Sequence, residues 1–223
     1  MIARGCIREF RLTFAFFKFM KAIKNVIFDL GGVILNIDYQ KTARAFNELG
    51  VHQFDELYSQ STANHLFEAL ETGDISEESF FESMQPYCRE GTTQEQIQAA
   101  WNAILLDFRN ESLQVLESLK GKYNLFLLSN TNSIHHTAFN RILLEDTGKR
   151  SLDVYFTKSY YSHLIRMRKP YAATYQWVLN DGNMVAGETL FVDDSIININ
   201  GADEVGIKTH LLLPTEKLAD LGL

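Results

Sequence analysis

The stretch Asn25-Val26-Ile27-Phe28-Asp29-Leu30-Gly31-Gly32 decides the fold of this chain. An apolar run ends at one carboxylate, Asp29, and two glycines follow shortly after it. This pattern predicts a buried strand that carries an acid at its C-terminal end, with a loop behind it. Open α/β sheets bind ligands at that edge. Taken alone, Asp29 also fits an ordinary strand-to-loop turn, so the clusters further along the chain decide between the two interpretations.

Composition bounds the class of protein. The chain has 223 residues, of which 46% are hydrophobic and 22% charged, as in globular proteins with one large domain or a core plus a small insert. The net charge of −7 argues against nucleic-acid binding. No apolar stretch approaches the roughly 18 residues that a membrane span needs. Cys6 and Cys88 lack disulfide or zinc spacing. We therefore expect a cytoplasmic monomer or homodimer without nucleic-acid or membrane partners.

The first nineteen residues differ from the rest of the chain. They contain four basic residues and one acidic residue, whereas the remainder is acidic. We interpret residues 1–19 as an N-terminal extension that precedes the domain, with Met20 as the natural start. The alternative interpretation is a signal peptide, since the apolar run 12–17 follows basic residues. The run is short and lacks a small-residue cleavage site, which argues against this alternative.

The remaining sequence predicts a sheet domain with a helical insert. Residues 37–107 show helical spacing throughout, with Ser76 and Thr93 as candidate helix caps. After residue 108, strands and helices alternate, which favours a parallel α/β sheet covered on both faces. The predicted α/β core is 20–36 and 108–223, and the predicted helical cap is 37–107. The further predicted strands are Tyr123–Leu128, Val154–Phe156, Thr189–Val192 and Lys208–Leu212.

Polar clusters follow three of the predicted strands. The first is Asp29, the second is Ser129-Asn130-Thr131-Asn132 and the third is Asp193-Asp194-Ser195. Arg168-Lys169-Pro170 comes just before a predicted helix. Each cluster alone fits a turn, a helix cap or a surface charge. Because the ends of parallel strands share one edge of the sheet, the clusters together predict a site for a dianion and a divalent metal.

These residue types suit phosphate chemistry. Lys169 can neutralise a phosphate, and the Ser129 hydroxyl and the backbone N–H of Asn130 can donate to its oxygens. Asp29 and Asp194 offer the hard oxygen ligands that Mg²⁺ prefers. Asp29 can also attack phosphorus and form an aspartyl-phosphate, which water then hydrolyses.

With these residues in place, the chain resembles the haloacid dehalogenase-like hydrolase superfamily, and the likeness spans roughly residues 20–215. The resemblance implies a Rossmann-like parallel sheet core with an inserted α-helical cap domain between the first two motifs. The four motifs occur in order as Phe28–Val33, Leu128–Thr131, Arg168–Pro170 and Phe191–Ser195 with Asn198.

The resemblance also implies roles for single residues. Asp29 matches the family's nucleophile, and Asp194 its metal-binding acid. Ser129 and Lys169 match its phosphate-binding hydroxyl and lysine. Asp193 and Asn198 are expected to support these groups from behind. The segment Glu71–Ser76 resembles the cap of a subgroup of sugar-phosphate phosphatases, such as the bacterial α-glucose-1-phosphate phosphatase.

One position departs from the phosphatase pattern. Phosphatases of the superfamily usually carry a second acid two residues after the nucleophile, where this chain has Gly31. The carbonyl of Gly31 can still bind the metal, but general acid–base help, worth roughly 10²–10⁴-fold, is missing from the side chain. Our hypothesis is that the substrate has a good leaving group, such as an anomeric hydroxyl, or supplies its own proton.

The sequence thus predicts a Mg²⁺-dependent phosphatase of small phosphorylated metabolites, with sugar phosphates as the preferred class. Two alternatives stay open. The chain is a dehalogenase, although the metal acid Asp194 argues against this, or a catalytically weak module that binds a phosphorylated ligand, for which Gly31 is the main support. A phosphomutase is disfavoured, since mutases need the acid that Gly31 lacks.

Overall fold

The computed structural model describes residues 23–52, 54 and 65–223, so the predicted N-terminal extension, residues 1–19, lies outside the described residues. Five strands form a parallel sheet in the order β5-β4-β1-β6-β7, and two more form an antiparallel ribbon, β2-β3. This is the predicted α/β fold. In chain order the strands are β1 (Asn25–Phe28), β2 (Leu35–Ile37), β3 (Leu105–Phe108), β4 (Asn124–Ser129), β5 (Lys158–Tyr161), β6 (Thr189–Asp193) and β7 (Lys208–Leu211).

Helices connect the strands and cover the sheet. The α-helices are α1 (Tyr39–Glu48), α2 (His65–Glu71), α3 (Glu77–Met84), α4 (Gln94–Asn102), α5 (Asn110–Leu119), α6 (Ser133–Thr147), α7 (Ser162–Ile165), α8 (Ala172–Asp181) and α9 (Ile196–Asp203). Short 3₁₀ helices are Gln85–Tyr87, Leu152–Tyr155, Ala186–Glu188 and Leu218–Leu221. No helix of the described ranges is both long and apolar enough to cross a bilayer.

The position of β1 at the centre of the sheet explains why its own sequence is a continuous apolar run. All four of its residues are buried. Val26 and Phe28 belong to the apolar cluster on one face of the sheet, and Ile27 to the cluster on the other face. A strand covered on both faces has no solvent side and needs no alternation. Since β1 pairs with β4 and β6, Asp29 leaves the sheet between two neighbouring strand ends.

Two predicted elements are wrong. Val154–Phe156 is no strand, because Leu152–Tyr155 forms a 3₁₀ helix that the Ser151 side chain caps by accepting from Asp153 N–H. The strand comes later, at Lys158–Tyr161. It lies at the edge of the sheet and its first two residues are polar, so its sequence lacks the apolar run that marks the central strands. The block 37–107 is also not helical throughout, since Leu105–Phe108 pairs with Leu35–Ile37 in the ribbon.

Helices α1–α4, residues 39–102, are called the helical insert below. Ser76 and Thr93 cap helices α3 and α4, as predicted, and Thr93 forms a full capping box. The insert has its own apolar cluster, which includes Phe67, Phe80 and Trp101 and which Ile134 of α6 joins from the sheet domain. The insert therefore packs directly against the helix that follows β4. The predicted boundaries of a separate cap domain stay a prediction.

Candidate active site

The predicted site residues come together at the C-terminal edge of the sheet. Asp29 follows β1, Ser129 ends β4 and Asp193 ends β6. A cavity of about 140 Å³ opens at this edge. Asp193 lies behind it, fully buried. The predicted residues that line the cavity are Asp29, Gly31, Ser129, Asn130, Lys169, Asp194 and Asn198.

Lys169 joins two of the acids. Its Nζ donates to Asp29 Oδ1 at 2.6 Å and to Asp193 Oδ2 at 2.7 Å, and the residue is only 1% exposed. Asp193 is itself held by Asn198 Nδ2 at 3.0 Å and by the Ser195 N–H at 2.8 Å. Asp193 and Asn198 thus lie behind the ammonium group that contacts Asp29, and their predicted supporting role stays a prediction.

Opposing effects set the pKa values of Asp29 and Lys169. Burial raises the pKa of Asp29 to about 7, against the pull of Lys169 and with help from the negative charges of Asp193 and Asp194. Burial works against the charge of Lys169, but Asp193 and Asp29 together raise its pKa above the usual value. The lysine therefore stays positive, while added positive charge in the cavity would favour the ionised form of Asp29.

The donor set fits a hard cation such as Mg²⁺. Asp29, Asp193 and Asp194 each place a carboxylate oxygen within 4.8 Å of the others. Because both oxygens of Asp193 already accept hydrogen bonds from Asn198, the two acids with free ligand capacity are Asp29 and Asp194. Gly32 makes the close approach possible, since a Cβ at this position would lie 1.9 Å from Asp194 Oδ2, and its φ of +71° favours glycine.

Asn130 and Ser129 occupy the other side of the nucleophile. The Asn130 side chain exchanges two hydrogen bonds with the backbone of Lys169, each of 2.9 Å, and so holds the lysine loop against the end of β4. Among the residues that the structure describes, Ser129 Oγ makes only a long contact, 3.5 Å, with the Asn130 carbonyl oxygen. Its hydroxyl remains available to a ligand in the cavity. The predicted donation of the Asn130 N–H to phosphate stays a prediction.

Glu71, His135 and Arg168 also line the cavity, and sequence reasoning gave them no role in the site. Glu71 ends α2, and its Oε2 accepts from Arg168 Nε at 2.9 Å. His135, which the sequence suggested as a capping or packing residue, stacks on Trp101 and also lines the cavity. Burial lowers the pKa of His135 to about 4, so its ring is neutral. Glu71 and Arg168 stand in quoted motifs, but nothing in the sequence shows that their side chains form an ion pair beside the cavity.

The comparisons with known proteins show the family of the chain. The family model of the haloacid dehalogenase-like hydrolases matches residues 23–206. The chain belongs to this family and is a hydrolase by that membership.

Individual relatives show which hydrolases the chain is similar to. The chain is 32% identical over 187 residues to a D-ribitol-5-phosphate phosphatase of Bacteroides thetaiotaomicron, covering 84% of this chain and 90% of that protein. A haloacid dehalogenase family enzyme from the same organism, an Asp-to-Ala variant in complex with magnesium and inorganic phosphate, superposes with a TM-score of 0.84 at 32% identity. It covers 90% of this chain and 99% of its own. A haloacid dehalogenase-like hydrolase of Porphyromonas gingivalis gives 0.80 at 31% identity, covering 90% and 97%.

Proposed function

We propose that the chain is a Mg²⁺-dependent phosphatase of small polyol or sugar phosphates that acts through an aspartyl-phosphate on Asp29. The observation that carries the proposal is the contact of one buried ammonium, Lys169 Nζ, with both Asp29 and Asp193 in a cavity at the sheet edge. A relative of 32% identity is named as a phosphatase of D-ribitol 5-phosphate, which supports the polyol phosphate class.

The reaction follows from the positions of the side chains. Lys169, the Ser129 hydroxyl and the Asn130 N–H bind the phosphate oxygens and turn the phosphorus toward Asp29. An Asp29 oxygen forms the new bond to phosphorus while the ester bond breaks, and its electron pair leaves with the alcohol oxygen. Water then attacks the phosphorus of the aspartyl-phosphate, which releases inorganic phosphate and restores the Asp29 carboxylate.

Mg²⁺ would be held by Asp29, Asp194 and the carbonyl oxygen of Gly31. The ion supplies charge neutralisation, which lets carboxylates and a phosphate lie side by side. Asp193 and Asn198 keep Lys169 in place rather than bind the metal. The helical insert acts as the cap that closes over the cavity and excludes water.

The proposal is tested with Asp29→Asn, which keeps the shape of the side chain but removes the nucleophile. We expect phosphate release from ribitol 5-phosphate and from a panel of sugar phosphates to fall by several orders of magnitude. Wild-type activity should require Mg²⁺ and vanish with EDTA. The control is Asp203→Asn, an exposed acid at the end of α9, which should keep full activity.

Other outcomes identify the alternatives. Release of halide from haloacids without release of phosphate from esters would make the chain a dehalogenase. Binding of phosphate with Mg²⁺, seen as a thermal shift, without turnover of any ester would make it a phospho-ligand binding module. Full activity of Asp29→Asn would refute the covalent mechanism.

We also propose a cytoplasmic location and a monomeric or homodimeric state. The location rests on cysteine usage, and Cys88 is a free thiol in the structure. Light scattering of the purified protein distinguishes a monomer or dimer from a larger assembly.

A further inference from the structure

The loop after the nucleophile is tightly packed at Gly31, where the acid is missing. A Cβ at this position would lie 3.0 Å from Ile37 Cδ1, and Ile37 itself lines the cavity. A side chain at position 31 would therefore require the Ile37 side chain to shift. Among the proposed substrates, polyol phosphates are esters of ordinary alcohols, whose alkoxides are poor leaving groups, unlike the anomeric hydroxyl of the hypothesis drawn from the sequence. Their cleavage benefits from a proton donor, which contributes roughly 10²–10⁴-fold.

A buried carboxyl group enters the same cavity from the helical insert. Glu71, the last residue of α2, is 8% exposed and lines the cavity together with Asp29, Ser129 and Lys169. Its Oε2 accepts from Arg168 Nε at 2.9 Å. Its Oε1 has no hydrogen-bond partner among the residues that the structure describes, which leaves this oxygen for a ligand.

We propose, on the basis of the proposed phosphatase function, that Glu71 is the catalytic acid that protonates the leaving alcohol in place of the side chain missing at Gly31. As the bond from Asp29 to phosphorus forms and the ester bond breaks, the leaving oxygen keeps the electron pair and takes the proton from Glu71. The resulting Glu71 carboxylate then takes a proton from the water that attacks the aspartyl-phosphate. Both carboxyl groups end the cycle as they began it.

The surroundings of Glu71 suit both halves of this cycle. Burial raises its pKa, while Arg168 opposes this effect, Glu68 adds to it and Lys169 opposes it weakly. The carboxyl group therefore holds its proton at a higher pH than an ordinary glutamate does. Once the proton is given away, the Arg168 guanidinium stabilises the carboxylate. Arg168, which contacts Glu71, directly precedes Lys169 in the chain. The proposed proton donor Glu71 is therefore held beside the loop that binds the phosphate.

The test uses phosphate esters without further hydroxyl groups, namely p-nitrophenyl, phenyl and ethyl phosphate, and compares kcat/KM for wild type and Glu71→Gln. Glutamine keeps an acceptor for Arg168 but has no proton to give. We expect the variant to stay within about threefold of wild type on p-nitrophenyl phosphate, which needs no acid, and to lose about 10²-fold on ethyl phosphate. Glu82→Gln, an exposed position on α3, is the matched control and should change nothing.

Each other result has a distinct meaning. An equal loss on all three esters, or no loss on any, overturns the acid role and leaves the phosphatase proposal standing. A loss that is confined to sugar or polyol phosphates also overturns it, because Glu71 would then bind substrate hydroxyls. A wild type that cleaves no ester overturns both proposals.

A second measurement uses the wild type alone, so it does not depend on how the variant folds. The alkaline decrease of kcat/KM that reports Glu71 deprotonation should appear with ethyl phosphate and be absent with p-nitrophenyl phosphate. Identical pH profiles for the two esters would overturn the proposal.

Discussion

Lys169 compensates the negative charge of the carboxylates at the C-terminal edge of the sheet. It contacts Asp29 and Asp193 while almost completely buried. Removal of Lys169 would be strongly destabilising, because it would leave the buried carboxylate of Asp193 without its cation. The acidic edge of the sheet therefore depends on the lysine before any substrate binds.

Asp29 should reduce the stability of the folded chain at neutral pH. Its pKa is about 7 in the folded protein but near 3.8 when unperturbed. The unfolded chain thus loses this proton first, and the free energy of unfolding falls as the pH rises from about 4 to 7. Asp29→Asn lacks this loss, so in EDTA its Tm should exceed that of wild type by a few degrees at pH 8, with a smaller difference at pH 5.

The measurement is thermal unfolding of both proteins at several pH values, with Asp203→Asn as the control for a substitution of an exposed acid. A difference in Tm that does not change with pH would show that the carboxyl group of Asp29 titrates normally.

For single residues, the sequence predicted the polar residues at the strand ends, since each follows a recognisable apolar run. It did not predict the ion pair of the buried Glu71 with the partly buried Arg168, because charged residues are usually exposed and sequence spacing does not report burial. It also did not show that Ile37 occupies the space beside Gly31.

The secondary-structure elements divide into those with strong local signals and those without. Strands β1, β4 and β6 are apolar runs, and α3 and α4 begin at the predicted caps. The ribbon of β2 and β3 escaped prediction because its strands are short and lie on either side of the whole helical insert. Pairing between distant short segments is a tertiary effect that local propensity does not encode.

Thr93→Ala should weaken α4 without affecting catalysis. It removes the acceptor for the Gln96 N–H and so breaks the capping box. We expect a loss of about 1 kcal/mol in the free energy of unfolding, or a Tm decrease of roughly 2–4 °C for a chain of this size. Thermal unfolding checks this, with Gln94→Ala, the exposed first residue of the same helix, as the control. A decrease of equal size in the control would remove the cap as the cause.

For the molecule as a whole, metal binding and folding should be linked. A ligand that binds only the folded state adds about 2.7 kcal/mol at 100 times its dissociation constant. We therefore expect the Tm of wild type to rise with Mg²⁺ concentration, since the ion relieves the repulsion among Asp29, Asp193 and Asp194. Asp194→Asn should lose most of this rise. An equal rise in that variant, measured by differential scanning fluorimetry, would place the ion elsewhere.

The order of the strands bears on how the chain emerges from the ribosome. β1 is made early, yet its partners in the sheet, β4 and β6, come much later, and Lys169 follows Asp29 by 140 residues. Contacts of such long separation form slowly. A nascent chain therefore carries an apolar β1 without its sheet partners until β4 and β6 have been made, and transiently exposed apolar strands of this kind are prone to aggregate.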